Sequence, residues 1–121
     1  MDVTHKALVT APRNDAFRDL GNPVGAAVAD MTDFFERFDK EKYGATAAPL
    51  HDPCVLAYLI SPYIFTGRFI NVEIETGSEL TMGMTVADWW RVTDRAPNAT
   101  FIGDLDAEAF FDLLTERLAR L

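Results

Sequence analysis

Residues 54–60 read Cys54-Val55-Leu56-Ala57-Tyr58-Leu59-Ile60, a helix-length run with almost no polar side. Asp52-Pro53 in front of it has the form of a helix cap followed by a first-turn proline. Ser61-Pro62 ends it, because the residue before proline avoids the helical region. A helix that is apolar all round has to be covered on most sides. Any fold for this chain must therefore bring neighbours around residues 54–60, and the 121 residues are expected to form a single segment, 1–121, that is one flank of a larger α/β fold.

The punctuation elsewhere agrees with mixed helices and strands. Asn22-Pro23 is a cap followed by proline, and Val24, Val28, Met31, Phe35 and Phe38 follow at helical spacing, which predicts a long amphipathic helix to about Lys42. Lys40, Lys42 and then Gly44 mark its end, with cations near the dipole's negative pole and a glycine for the left-handed turn. Thr4 is read as the cap of a short helix running through His5, Lys6, Ala7 and Leu8. The period then changes to two. Ile70, Val72 and Ile74 alternate with Asn71, Glu73 and Glu75, Thr76-Gly77-Ser78 turns, and 80–86 reads as a returning strand, which makes a hairpin. Thr100, Phe101 and Ile102 form another short strand. Asp106 caps a last helix with Phe110, Leu113, Leu114, Leu118 and Leu121 on one face, Glu108 in its first turn and Arg117 and Arg120 late.

Composition narrows the function classes. An apolar share of 49% argues for a packed globule. Nineteen acidic against eleven basic residues leave a net charge of -8, which opposes binding to phosphate backbones and to anionic membranes, so neither nucleic acid nor membrane is an expected partner. The opening residues lack a cationic-then-apolar leader pattern, and the apolar run 54–60 is far below the ~20 residues that span a bilayer. Cys54 is the one cysteine, which excludes an intrachain disulfide and fits a reducing compartment such as the cytoplasm. Inside an apolar helix it reads as a buried, inert thiol. Trp89-Trp90 beside Arg91 reads as packing, an oligomer contact or a surface platform.

The chemistry-bearing pair is His51-Asp52. Read from residues alone, His51 is either a hydrogen-bonded loop histidine or an acid that titrates near neutral pH. Asp52 is either a helix cap or one oxygen ligand of a hard cation, which needs 6–8 such oxygens. Phe34, Phe35 and Phe38 are either core residues or a face on which an aromatic ligand stacks. No phosphate-cradling glycine loop, zinc-type Cys/His spacing or nucleophile elbow occurs.

Three blocks carry a more specific signal: Asp2-Val3-Thr4-His5-Lys6-Ala7-Leu8, His51-Asp52-Pro53-Cys54, and Glu79-Leu80-Thr81-Met82-Gly83-Met84-Thr85-Val86-Ala87-Asp88-Trp89. In this order and spacing they resemble the C-terminal part of the inosine-uridine-preferring nucleoside hydrolases. The resemblance runs over essentially the whole chain and implies the C-terminal portion of a Rossmann-like fold, with helices flanking a small sheet or hairpin. Met1 then falls where the family leaves a central strand, so the chain is expected to begin inside a domain.

The resemblance further implies hydrolysis of ribonucleosides to base and ribose, a role in nucleoside salvage, and Ca²⁺ as cofactor. His51 becomes the acid that protonates the departing base, Asp52 a Ca²⁺ ligand, and Phe35 and Phe38 substrate-binding positions. Some family members carry tyrosines on the helix of Phe35 and Phe38; phenylalanine can stack on a base but cannot give it a proton. The family's other aspartates come from a D-x-D-x-x-x-D-D motif that this chain lacks: Asp30-Met31-Thr32-Asp33, Asp94 and Asp104-Leu105-Asp106 have neither its spacing nor its preceding strand. The chain by itself is therefore expected to be inactive or nearly so, and to associate with copies of itself through exposed strand edges and apolar helix faces. The competing reading is a non-catalytic interaction domain that retains the fold remnant.

Overall fold

In the computed structural model, residues 3–44 and 47–121 are described, apart from the side chains of Asp39 and Tyr43. Asp2, the first residue of the first block, lies outside them, as does Met1. The chain divides into two compact units, one made of Met1–Phe65 with Asp104–Leu121 and the other of Thr66–Gly103.

The larger unit opens with a 3-10 turn at Thr4–Lys6 and a strand β1 at Leu8–Val9, followed by helices α1 (Ala11–Arg18) and α2 (Pro23–Tyr43). Strand β2 (Ala48–Pro49) leads into α3 (Asp52–Ile60), and α4 (Ala107–Leu118) closes the chain. The short helix read from Thr4 to Leu8 is thus only one tight turn. Leu8 and Val9 are drawn into an antiparallel pair with β2, Leu8 opposite Pro49 and Val9 opposite Ala48.

Helix α2 forms as its sequence predicts. The Gly25 N–H donates to Asn22 Oδ1 at 2.7 Å, satisfying a first-turn donor, and Gly44 ends the helix at φ 66° with its N–H on the Lys40 carbonyl. Which face it buries is a correction. Gly25, Ala29 and Thr32 are buried, while Met31, Phe34, Phe35 and Phe38 are exposed. Small residues let α1 and α2 approach closely. Asn14 of α1 donates to the Ala29 carbonyl at 3.2 Å and to Asp33 Oδ1 at 2.6 Å, and Arg18 pairs with Asp33. The phenylalanines lie off this contact, so the core-packing reading fails for them here.

The core gathers Ala7, Val9, Phe17, Ala29, Cys54, Ala57, Ile64, Leu105, Phe110 and Phe111. Asp106 caps α4 as expected, its carboxylate accepting the Ala109 N–H at 3.1 Å. Phe110 is buried and Leu113, Leu114 and Leu118 pack against the core, whereas Leu121 is exposed and lies beyond the helix. Helix α3 departs most from expectation. Only Cys54 and Ala57 of it are buried, and Val55, Leu56, Leu59 and Ile60 face solvent, Leu59 at 73%. Among the described residues its neighbours cover one side, not most of it.

The smaller unit contains most of strands β3 (Phe65–Ile70) and β6 (Ala99–Leu105), which pair, and the antiparallel hairpin of β4 (Val72–Ile74) and β5 (Thr85–Ala87), with Val72 opposite Ala87. The predicted hairpin is present, but its return strand is shorter than 80–86. A loop organised by Glu75 takes the difference: its carboxylate accepts the Gly77 and Ser78 N–H groups, which hold it below the ordinary glutamate range. Asp88 organises the next turn in the same way, accepting from Val92, Thr93 and the Thr93 hydroxyl. Trp89 packs edge-on against Phe101 with Arg68 over its ring at 4.3 Å, and Trp90 is exposed.

Candidate active site

The larger unit presents a groove of about 530 Å³ whose walls include Val28 and Phe35 of α2, Leu50, His51, Asp52 and Leu114 of α4. That volume lies in the range of roughly 300–1,000 Å³ found for small-molecule sites. Three residues singled out from sequence, Phe35, His51 and Asp52, meet there. Phe38 does not line it. Its ring lies under the Lys42 ammonium at 5.1 Å instead.

The segment before α3 is fixed from both sides. The β1–β2 pair holds it, the Leu50 N–H donates to the Ala7 carbonyl at 3.0 Å, and the buried Cys54 thiol donates to the Leu50 carbonyl at 3.1 Å. Burial pushes that thiol up from its ordinary value, which leaves it protonated and unreactive, as read from sequence. His51 occupies the cap position with helical backbone angles, and Asp52 is the first helical residue. Asp52 is therefore not the cap anticipated from Asp52-Pro53. Its exposed carboxylate takes no hydrogen bond from the described residues.

Two residues of the segment read from sequence as a short helix, Thr4 and His5, frame His51. Thr4 Oγ1 lies 2.7 Å from His51 Nδ1, and the His5 ring sits 5.7 Å away, tilted by 51°. Both belong to the turn at Thr4–Lys6, 47 residues earlier in the case of Thr4. Nothing in the local sequence pattern points to this contact; only the β1–β2 pairing creates it.

The residues present do not by themselves fit a calcium site. Among the described residues no three His, Cys, Asp or Glu side chains gather closely enough to hold a metal ion, and one carboxylate is far short of 6–8 oxygens.

Comparison with known proteins decides the family. The sequence profile described as Inosine-uridine preferring nucleoside hydrolase matches residues 1–112. The chain belongs to this family. Among relatives of this nucleoside hydrolase chain are proteins named pyrimidine-specific ribonucleoside hydrolase RihA, from Citrobacter koseri at 49% identity over 120 residues and from Klebsiella pneumoniae at 48%. Each alignment covers 98% of this chain but only 38% and 39% of the relative. The chain thus spans well under half the length of the curated relatives it matches, and corresponds to the C-terminal part of the family.

Solved structures agree. A purine-preferring ribonucleoside hydrolase from Gardnerella vaginalis superposes with a TM-score of 0.78 at 28% identity, covering 98% of this chain and 38% of that one. A plant nucleoside hydrolase gives 0.80 at 22% identity, covering 100% and 40%, and shows the fold alone. The architecture is accordingly the C-terminal portion of a nucleoside hydrolase α/β fold.

Proposed function

We propose that this chain supplies the leaving-group side of a ribonucleoside N-ribohydrolase site. The observation that carries the reading is the placement of His51 and Asp52 side by side on a groove bounded by the apolar face of Phe35. Water adds to C1′ of the ribose as the C1′–N bond breaks, and the proton that water loses passes to a base outside the described residues. The bonding pair leaves with the base, whose nitrogen takes a proton from His51. The oxocarbenium-like character of such a reaction is shared with O-glycoside hydrolysis. Phe35 offers a surface on which the base stacks. Adjacent placement of His51 and Asp52 on one rigid segment fixes both within the tolerance that catalysis requires.

In this reading Asp52 contributes one ligand to a Ca²⁺ whose other ligands lie outside the described residues. Its role would be to bind the ribose and activate water. The shortfall of oxygen donors leads to a definite expectation: the 121-residue chain releases no ribose from uridine or inosine, with or without Ca²⁺. Calcium-dependent turnover that disappears in His51→Ala would overturn that expectation. The role of His51 is tested in a chimaera in which this chain replaces the matching 38% of the Citrobacter koseri relative. There His51→Ala is expected to lower kcat by about 10²–10⁴-fold, the usual worth of a general acid. An unchanged kcat would sink the assignment.

Exposed apolar residues on α2 and α3 favour a second reading, a non-catalytic association module. Self-association is expected under both readings, since contiguous exposed apolar surface drives it. Sedimentation of the parent chain should show concentration-dependent oligomers, and Leu56→Lys with Leu59→Lys should return the monomer; a parent that stays monomeric at every concentration contradicts this. A melting temperature raised by nucleoside would count against the module, because a ligand of the native state must raise stability. No described helix is long and apolar enough to cross a membrane. A cytoplasmic location is part of the proposal.

A further inference from the structure

We propose that Thr4 is a positioning residue for His51: its Oγ1 accepts the Nδ1–H and holds the ring so that Nε2 is the nitrogen presented to the groove. This inference rests on the reading of His51 as the acid. Three observations carry it. The Oγ1–Nδ1 separation of 2.7 Å is a full hydrogen bond, and it joins residues 47 apart. Both ends are held by backbone structure. The Lys6 N–H on the Val3 carbonyl at 2.9 Å and the Ala7 N–H on the Thr4 carbonyl at 3.0 Å fix the turn, and Leu50 bonded to Ala7 fixes the segment of His51. The His5 ring beside His51 then limits rotation about its side chain.

The chemistry follows from the two ring nitrogens. When imidazolium gives up a proton from Nε2, the N–H pair stays on Nε2 and the neutral ring must keep its proton on Nδ1. A hydroxyl oxygen accepting at Nδ1 favours that form, much as a carboxylate does in other histidine sites, but without adding charge. Without it, neutral histidine in water prefers the proton on Nε2, the form that is not left behind by donation from Nε2.

The test reads the ring directly. Two-bond ¹H–¹⁵N correlations of the 121-residue chain, recorded where His51 is neutral and with His5→Gln used to assign the two rings, report which nitrogen carries the proton. The parent and Thr4→Ser are expected to show His51 as the Nδ1–H form, and Thr4→Val to shift it to the Nε2–H form, with the amide spectra showing that all three stay folded. A parent already in the Nε2–H form, or a Thr4→Val chain identical to it, overturns the proposal. In the chimaera, Thr4→Val is expected to lower kcat about tenfold with KM unchanged, and Thr4→Ser to restore it. Failure of the ring signature while His51→Ala still abolishes turnover would remove Thr4 alone. His51→Ala without effect would remove the catalytic reading, and with it the role of Thr4, whatever the ring form.

Discussion

Phe17→Ala is expected to cost the chain about 3–5 kcal/mol, enough to leave much of it unfolded at room temperature. Phe17 has 0% exposure and packs its ring 6.3 Å from that of Phe111, which also lies 5.1 Å from Phe110. These are the aromatic side chains of a core whose other members, Ile64 and Leu105 apart, are only alanine, valine and cysteine. Small neighbours cannot collapse into a phenylalanine-sized void, so both the transfer term and the cavity term are lost. Phe34→Ala is the control. It removes the same atoms from a side chain that is 75% exposed and should stay within about 0.5 kcal/mol of the parent. Urea unfolding followed by circular dichroism distinguishes them, and equal losses in the two variants would mean that the core is not where the structure puts it.

The consequence for function runs through α1. Phe17 sits on the helix that follows β1, and β1 pairs with the strand that delivers His51. A core that loosens under α1 therefore loosens the Thr4 and His51 segments together. The groove is not an independent loop feature; it is positioned by the same few buried side chains that hold the unit together.

How much of this was legible depended on whether the determining interaction was local. Asn22-Pro23, Gly44, Ser61-Pro62 and Asp106 fixed the ends of three helices, because capping and proline sterics act within a few residues. Val72 and Ile74 likewise announced the hairpin, but the alternation misled at its ends: Ile70 closes β3, Asn71 is buried and Ile74 is exposed. Helix α1 gave no such signal: of its eight residues, Ala11-Pro12-Arg13-Asn14-Asp15-Ala16-Phe17-Arg18, only Phe17 is a large apolar group, so no stripe was visible. Two-residue strands such as Leu8–Val9 and Ala48–Pro49 are too short for any period. The buried face of α2 was misread for a related reason. Apolar periodicity marks large side chains, while the contact with α1 is built from Gly25, Ala29 and Asp33. At the site, the His51-Asp52 pair was readable as adjacent residues, and Thr4 and His5 were not, since a strand pairing 40 residues apart brings them in.

Gly25→Ala separates helix propensity from packing, because the two predict opposite signs. In an exposed helix the change would add roughly 0.5–1 kcal/mol of stability. Here a β-carbon at Gly25 would lie 2.3 Å from the carbonyl oxygen of Phe17 and 3.1 Å from the Leu20 β-carbon. The nearest atom is backbone, so α2 itself must move away from α1, at a cost of typically 1–3 kcal/mol. A net loss of about that size is expected in thermal or urea unfolding. The displacement should also reach the groove: Phe35 stands ten residues along a stiff helix, about 15 Å from the pivot, and a small tilt at Gly25 becomes a larger shift there. Amide shifts at Phe35 and His51 should therefore change in Gly25→Ala while those of the hairpin at residues 72–87 do not. A variant as stable as the parent, with an unaltered groove, would show that α1 and α2 are not in the close contact on which the placement of Phe35 opposite His51 depends.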